Sequence, residues 1–245
     1  MLEIKNLTVK VGGVVILENI SLCIPAGETH LLLGPNGSGK STLLRAIMGI
    51  GELEIISGQI KFLGKDITRL PTHERAKLGI GIAMQKPPAL PEVTLQRLAE
   101  VLSDRYKSSW QELADDLDCG YLLARGLNDK FSGGESKRAE LFQLLIQHPQ
   151  LLLIDEPESG VDLENIAVVG KALNTLLKPE KVKDREHAGL IITHTGYILN
   201  YINADRGYVL VKGKIICEGN PRDLFEEINN HGFEGCVVCA ECRKK

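Results

Sequence analysis

Nine consecutive residues, Gly34-Pro35-Asn36-Gly37-Ser38-Gly39-Lys40-Ser41-Thr42, concentrate more chemistry than any other stretch of the chain. They fit G-x-x-x-x-G-K-[ST], a loop whose glycines let successive backbone N–H groups turn inward around a phosphate chain. In that pattern the Lys40 ammonium reaches the β- and γ-phosphates, and the Ser41 hydroxyl ligates Mg²⁺. The pattern carries weight only between a strand and a helix. Leu31-Leu32-Leu33 before it is an apolar run of strand type, and Leu43, Leu44, Ile47 and Met48 after it recur at helical spacing. A helix beginning there aims its positive end at the phosphates. These residues predict a nucleoside triphosphate site.

A second chemical centre follows from Leu151-Leu152-Leu153-Ile154, which ends in Asp155-Glu156-Pro157. Such a run is that of a strand buried on both faces. At its end, beside the phosphate loop, Asp155 is expected to hold Mg²⁺ through water. Glu156 is expected to orient or deprotonate an attacking water. An apolar run ending in Asp-Glu says little alone; after a phosphate loop it says much more.

The elements that must position these groups follow from periodicity. Residues 2–24 alternate as antiparallel strands around a Gly12-Gly13 turn. Gly58 to Ile67 predicts a hairpin turning at Gly64-Lys65, and Thr72 an N-cap. Ile80 to Met84 predicts a strand closed by Gln85-Lys86-Pro87-Pro88, where two prolines forbid a helix. From about Ala89 to Lys130 the pattern is helical, with stripes Leu95, Leu98, Leu102 and Trp110, Leu113, Leu117 as packing faces. A helix opens at Ser132 and runs to about Gln147. Another carries Leu163, Ile166, Val169, Leu173 and Leu176 on one face. A charged loop, Lys178 to His187, leads to a strand at Leu190–Thr193 followed by His194, and a last hairpin turns at Lys212-Gly213.

Length and composition fit this plan and exclude others. At 245 residues, 43% hydrophobic and 25% charged, the chain suits a globular domain with a sizeable core. A net charge of −3 and an aromatic content of 4% give no footing for nucleic acid. No uninterrupted apolar run approaches the roughly 18 residues that cross a bilayer, so no direct membrane insertion is expected. Met1 to Lys5 lacks the regions of a secretory signal, and a cytoplasmic location is the expectation. Six cysteines in that setting predict thiols or metal ligands rather than disulfides.

With these motifs in place, the chain resembles the ABC ATPases along nearly its whole length. Walker A at 34–42, a Q-loop glutamine at Gln85, the signature Ser132-Gly133-Gly134-Glu135, Walker B ending at Glu156 and a switch histidine at His194 stand in the family's order. Ser159-Gly160-Val161-Asp162 matches its D-loop. The resemblance implies an α/β fold: a P-loop (RecA-like) core, an N-terminal antiparallel β subdomain and a helical insert at about 89–147. Residues 1–235 then form one domain and 236–245 a Cys-rich tail. It further implies ATP hydrolysis by a head-to-tail homodimer, in which Ser132 and the N–H groups after it touch the γ-phosphate of the partner's ATP. Gln85 would ligate Mg²⁺, and His194 would position the water of Glu156. One departure stands out: residues 9–15 hold no aromatic ring to stack on adenine, so weaker or less base-selective binding is expected.

Within the family, transporter subunits usually continue R-V-x-I-A-R-A-L after the signature. Here the run is Arg138-Ala139-Glu140-Leu141-Phe142-Gln143-Leu144-Leu145. Its Arg-x-Glu-x-x-Gln pattern, with Ser-Gly-Val-Asp at 159–162 and Ile192-Thr193-His194, is similar to the SufC ATPases of iron–sulfur cluster assembly. That resemblance implies a SufB/SufD-like scaffold as partner. A nucleotide-binding subunit of an ABC transporter is the alternative.

The tail carries Cys236-x-x-Cys239-x-x-Cys242, with His231 upstream. Three thiolates at that spacing can surround one Zn²⁺ or an iron–sulfur cluster. The other expectation is a reduced tail without function.

Overall fold

The computed structural model describes residues 1–177 and 186–242, with side chains at all of these but 163–165, 234 and 236–242. The chain opens as a hairpin of β1 (Leu2–Val11) and β2 (Val14–Ile24), turning at Gly12 and Gly13. β3 (Thr29–Leu33) runs into the phosphate loop and α1 (Lys40–Met48). β4 (Leu53–Phe62) and β5 (Lys65–Asp66) complete an antiparallel sheet of order β2-β1-β4-β5. α2 (Thr72–Lys77) precedes β6 (Ile80–Ala83). Then come β7 (Leu90–Thr94), α3 (Leu95–Tyr106), α4 (Gln111–Asp116) and β8 (Gly126–Leu127). α5 (Gly133–Gln147), β9 (Leu151–Asp155), α6 (Leu163–Leu177) and β10 (Ala188–Ile192) follow. β11 (Arg206–Val211), β12 (Lys214–Gly219) and α7 (Pro221–Cys242) close the described chain.

The central sheet has the order β12-β11-β3-β10-β9-β6, parallel throughout except for the edge strand β12. Its inner strands β3, β9 and β10 are buried along their whole length because both faces are covered. Leu32, Leu151, Leu153, Leu190 and Ile192 point into a core shared with the antiparallel sheet and α1. Their neighbours Leu31, Leu152, Ile154 and Ile191 point into a second core with α3, α5 and α6. The strand period of two thus divides each run between two cores.

The predicted stripes of the insert face this second core: Leu95 and Leu117 are buried, and Leu98, Leu102, Trp110 and Leu113 pack against it. Leu90–Thr94 is not helical. It pairs antiparallel with β8, and Gly126 lets the Pro91 backbone approach where a Cβ would collide with it. At α2 the cap is Pro71, and Thr72 instead donates its hydroxyl to the Gly49 carbonyl. β4 begins at Leu53, before the predicted Gly58. α7 was not predicted. It is helical to Cys242 apart from a break at Gly232 (φ 69°).

Most of the predicted loop at 178–187 lies outside the described residues, as do the side chains of Leu163, Cys236, Cys239 and Cys242. The described cysteines Cys23, Cys119 and Cys217 carry free thiols, and burial pushes that of Cys119 up to about 12. No helix among the described residues is long and apolar enough to cross a membrane.

Candidate functional site

Four parallel strands deliver the predicted chemistry at their carboxyl ends, where ligands of open α/β sheets bind. β3 leads into the phosphate loop, β6 ends just before Met84 and Gln85, β9 ends at Asp155, and β10 ends just before Thr193 and His194. A cleft of about 720 Å³ opens there between the loop, Gln85 and Glu156. Val11, Val14 and Ile16 of the first hairpin form its other wall.

The loop is shaped by close packing. A Cβ on Gly34 would collide with the Leu210 carbonyl, and one on Gly39 would press on Leu17 Cδ2 at 2.8 Å. Gly39 caps α1 at φ 104°, a left-handed conformation that favours glycine. Lys40, buried at the first position of α1, donates Nζ to the carbonyls of Gly34 (2.7 Å) and Pro35 (3.0 Å). Burial pushes its pKa below the ordinary lysine value, against the opposing pull of Glu156 and Asp155. An ammonium held this way has neutral partners that phosphate oxygens can replace. Ser38 Oγ is buried without a hydrogen-bond partner.

Asp155 accepts a hydrogen bond from Ser41, while its Oδ1 is buried and unpartnered. Burial raises its pKa above the ordinary carboxylate value, and the Ser41 bond, Lys137 and Lys40 hold it down. Ser41, Gln85 and Asp155 line one hollow of about 140 Å³. An orphaned carboxylate oxygen, a hydroxyl and an amide facing one space are hard oxygen donors of the kind Mg²⁺ takes. The donor set fits that ion.

Glu156 sits at φ 50°, an uncommon conformation for a residue with a side chain, and its N–H donates to the Ile192 carbonyl at 3.1 Å. Gln85 Nε2 donates to Glu156 Oε2 at 2.6 Å, and His194 Nδ1 lies 3.3 Å from Oε1. The structure therefore brings the phosphate loop, Gln85, Asp155, Glu156 and His194 together. Two residues further on, buried Glu158 accepts hydrogen bonds from Thr193 and, at 3.0 Å, from Thr195, so the D-loop is tied to the histidine loop. Sequence reasoning missed Glu158. Its one signal is a carboxylate where the apolar strand has just ended.

The signature residues stand apart: none of Ser132, Gly133, Gly134 and Glu135 lines the cleft. They form the start of α5 as a capping box. Ser132 Oγ accepts from Glu135 N–H at 3.2 Å, and Glu135 Oε2 accepts from Ser132 N–H at 2.7 Å. Gly133 packs so tightly on the D-loop that a Cβ would collide with the Gly160 carbonyl. The cysteine side chains of the tail lie outside the described residues, and among the described residues no three His, Cys, Asp or Glu side chains cluster as a metal site.

The family described as ABC transporter matches residues 17–159. The chain is 38% identical to a probable ATP-dependent transporter, slr0075 of Synechocystis, over 96% of this chain and 94% of that one. It is 35% identical to the probable ATP-dependent transporter SufC of Escherichia coli, over 95% and 97%. A solved nucleotide-free ATP-binding cassette from an ABC transporter superposes with a TM-score of 0.75 at 27% identity, covering 94% of this chain and 95% of that one. The chain belongs to the ABC transporter family and is one of its ATPase cassettes.

Proposed function

We propose that this ATPase is of SufC type, hydrolysing ATP with Mg²⁺ as a head-to-tail dimer to remodel a SufB/SufD-like scaffold in iron–sulfur cluster assembly. The observation that carries the reading is the run Arg138-x-Glu140-x-x-Gln143 along α5. Arg138 is buried and donates to Asp118 (2.7 Å) and to the Tyr121 hydroxyl (2.6 Å). Glu140 and Gln143 line a hollow of about 250 Å³ with Pro87, Pro88, Leu90 and Leu98, beside the Gln85 loop. A partner seated there would press on Gln85. The relative named SufC supports the same reading.

In the hydrolysis we propose, Lys40 and the loop N–H groups bind the β- and γ-phosphates of the substrate. Glu156 orients and deprotonates the water, while His194 and Gln85 fix its carboxylate. Ser41, Gln85 and Asp155 would hold Mg²⁺, which would supply charge neutralisation on the phosphates. Ser132, Gly133, Gly134 and Glu135, absent from their own subunit's cleft, supply the helix N-terminus of α5 to the partner's nucleotide.

Affinity purification from the source cells tests the function. A soluble scaffold that co-purifies and raises ATP turnover supports it; a polytopic membrane protein in its place identifies a transporter subunit. We also propose Cys236, Cys239 and Cys242 as thiolate ligands for Zn²⁺ or a cluster, tested by metal analysis and the visible spectrum of anaerobically purified protein.

A further inference from the structure

Lys137 and Glu140 lie one turn apart on α5, with side chains only 4% and 8% exposed, and Nζ stands 3.3 Å from Oε2. Both also hold the same residue of the facing strand end. Glu140 Oε1 accepts from the Met84 N–H at 2.8 Å, and Lys137 Nζ donates to the Met84 carbonyl. The first bond fixes the peptide entering Met84, and the second fixes the peptide that leads to Gln85. Gln85 is the residue whose side chain reaches Glu156 and shares a hollow with Ser41 and Asp155.

A buried ion pair is a poor route to stability, because desolvation offsets most of the attraction and an apolar pair of similar volume often does as well. Burial raises the Glu140 pKa, and Lys137 and the Met84 N–H oppose that shift. What an apolar pair cannot do is hold a peptide N–H and a peptide C=O at once. Charge-assisted bonds to both are among the stronger orienting contacts in a protein.

We infer that Lys137 and Glu140 are positioning residues: they set the backbone at Met84 so that Gln85 meets both Glu156 and the Mg²⁺ hollow. The inference rests on the assignment of Gln85 proposed above. It makes α5 one rigid link. Its first residues meet the partner's nucleotide, and its second turn holds the glutamine of its own subunit's cleft. Closing the dimer and ordering Gln85 then become one movement.

The test uses the full chain without any scaffold, so its outcome is independent of the scaffold reading. Lys137→Met/Glu140→Leu removes both charges together and leaves no orphaned ion. ATP binding in EDTA should stay within about twofold of wild type, while the Mg²⁺ concentration needed to tighten binding should rise about tenfold, the usual scale for losing an outer-shell support. Hydrogen exchange of the peptide spanning Met84 and Gln85 should quicken. Wild-type Mg²⁺ dependence in the folded double variant overturns the inference, and so does wild-type exchange at Met84. Should that variant fail to fold, Glu140→Gln decides. It keeps an acceptor for the Met84 N–H but loses the charge that holds Lys137, and should shift the Mg²⁺ requirement in the same direction by about threefold. No shift overturns the inference. Gln85→Ala is the control: if it leaves the Mg²⁺ dependence unchanged, the assignment of Gln85 falls, and the role of the pair falls with it.

Discussion

Gln85 Nε2 donates to Glu156 Oε2 at 2.6 Å across 71 residues of sequence. The other oxygen of the same carboxylate faces His194 Nδ1 at 3.3 Å. Glu156 is thus held at both oxygens by side chains from two other strand ends, and neither contact depends on the loop that binds phosphate. His194→Ala should therefore separate binding from chemistry. Turnover should fall about 100-fold, as for the loss of one oriented group at a reacting centre, while ATP affinity changes little. Equal losses in affinity and turnover would place His194 in binding instead.

Asp155 gives a prediction about stability. Its burial raises the folded-state pKa above the unfolded value, so the native state binds more protons between the two. In the free protein this makes the ionised carboxylate a burden at neutral pH. The burden is relieved as pH falls into the window just above the ordinary carboxylate value. Asp155→Asn should raise the Tm of the nucleotide-free protein, because it keeps the shape and removes the buried charge. It should also remove that acid-side gain and abolish the extra stability conferred by Mg²⁺ with ATP. A lower Tm in thermal melts of the free protein would show that Asp155 stabilises the fold rather than serving the site.

The wall of the cleft across from the phosphate loop is aliphatic, built by Val11, Val14 and Ile16. Apolar side chains without a ring or a directed polar group distinguish bases poorly. Affinities for ATP and GTP should lie within about threefold of each other. Val14 is 61% exposed, so Val14→Tyr adds a stacking ring without disturbing the core. It should tighten ATP about fivefold, the equivalent of roughly 1 kcal/mol of stacking. Competition binding with the two nucleotides checks both statements; strong wild-type preference for ATP would point to base contacts elsewhere.

The parts of this site legible in the sequence are those whose chemistry is local. Glycines, lysine and serine at fixed spacing define the loop around Lys40 whatever surrounds it. Leu151 to Asp155 declares a doubly buried strand by composition alone. Leu90–Thr94 departs from the helical expectation: Pro91 and Glu92 stand four and three residues before Leu95, so the Leu95, Leu98, Leu102 period stops there. Its strand character depends on pairing with Gly126 and Leu127, more than 30 residues away. α7 had a local signal that went unused: Asn220 Oδ1 accepts from the Arg222 N–H at 2.9 Å, ahead of a proline at the first helical position. The Lys137–Glu140 hold on Met84 had none. Charged residues at i and i+3 on a helix ordinarily mark a solvated face, and only the tertiary fold turns this pair inward.

The proposed hydrolysis depends on Glu156 as the group that activates water, and Glu156→Gln is the most direct test. The substitution keeps the shape and an acceptor for Gln85 while removing the base, with the phosphate loop untouched. Single-turnover hydrolysis and light scattering of the same sample, with and without Mg²⁺ and ATP, give both readouts needed. The variant should retain ATP binding, hydrolyse about 100-fold or more slowly, and accumulate as a dimer only when ATP is present. Hydrolysis at the wild-type rate, or a variant that binds ATP and remains monomeric, would contradict the proposal.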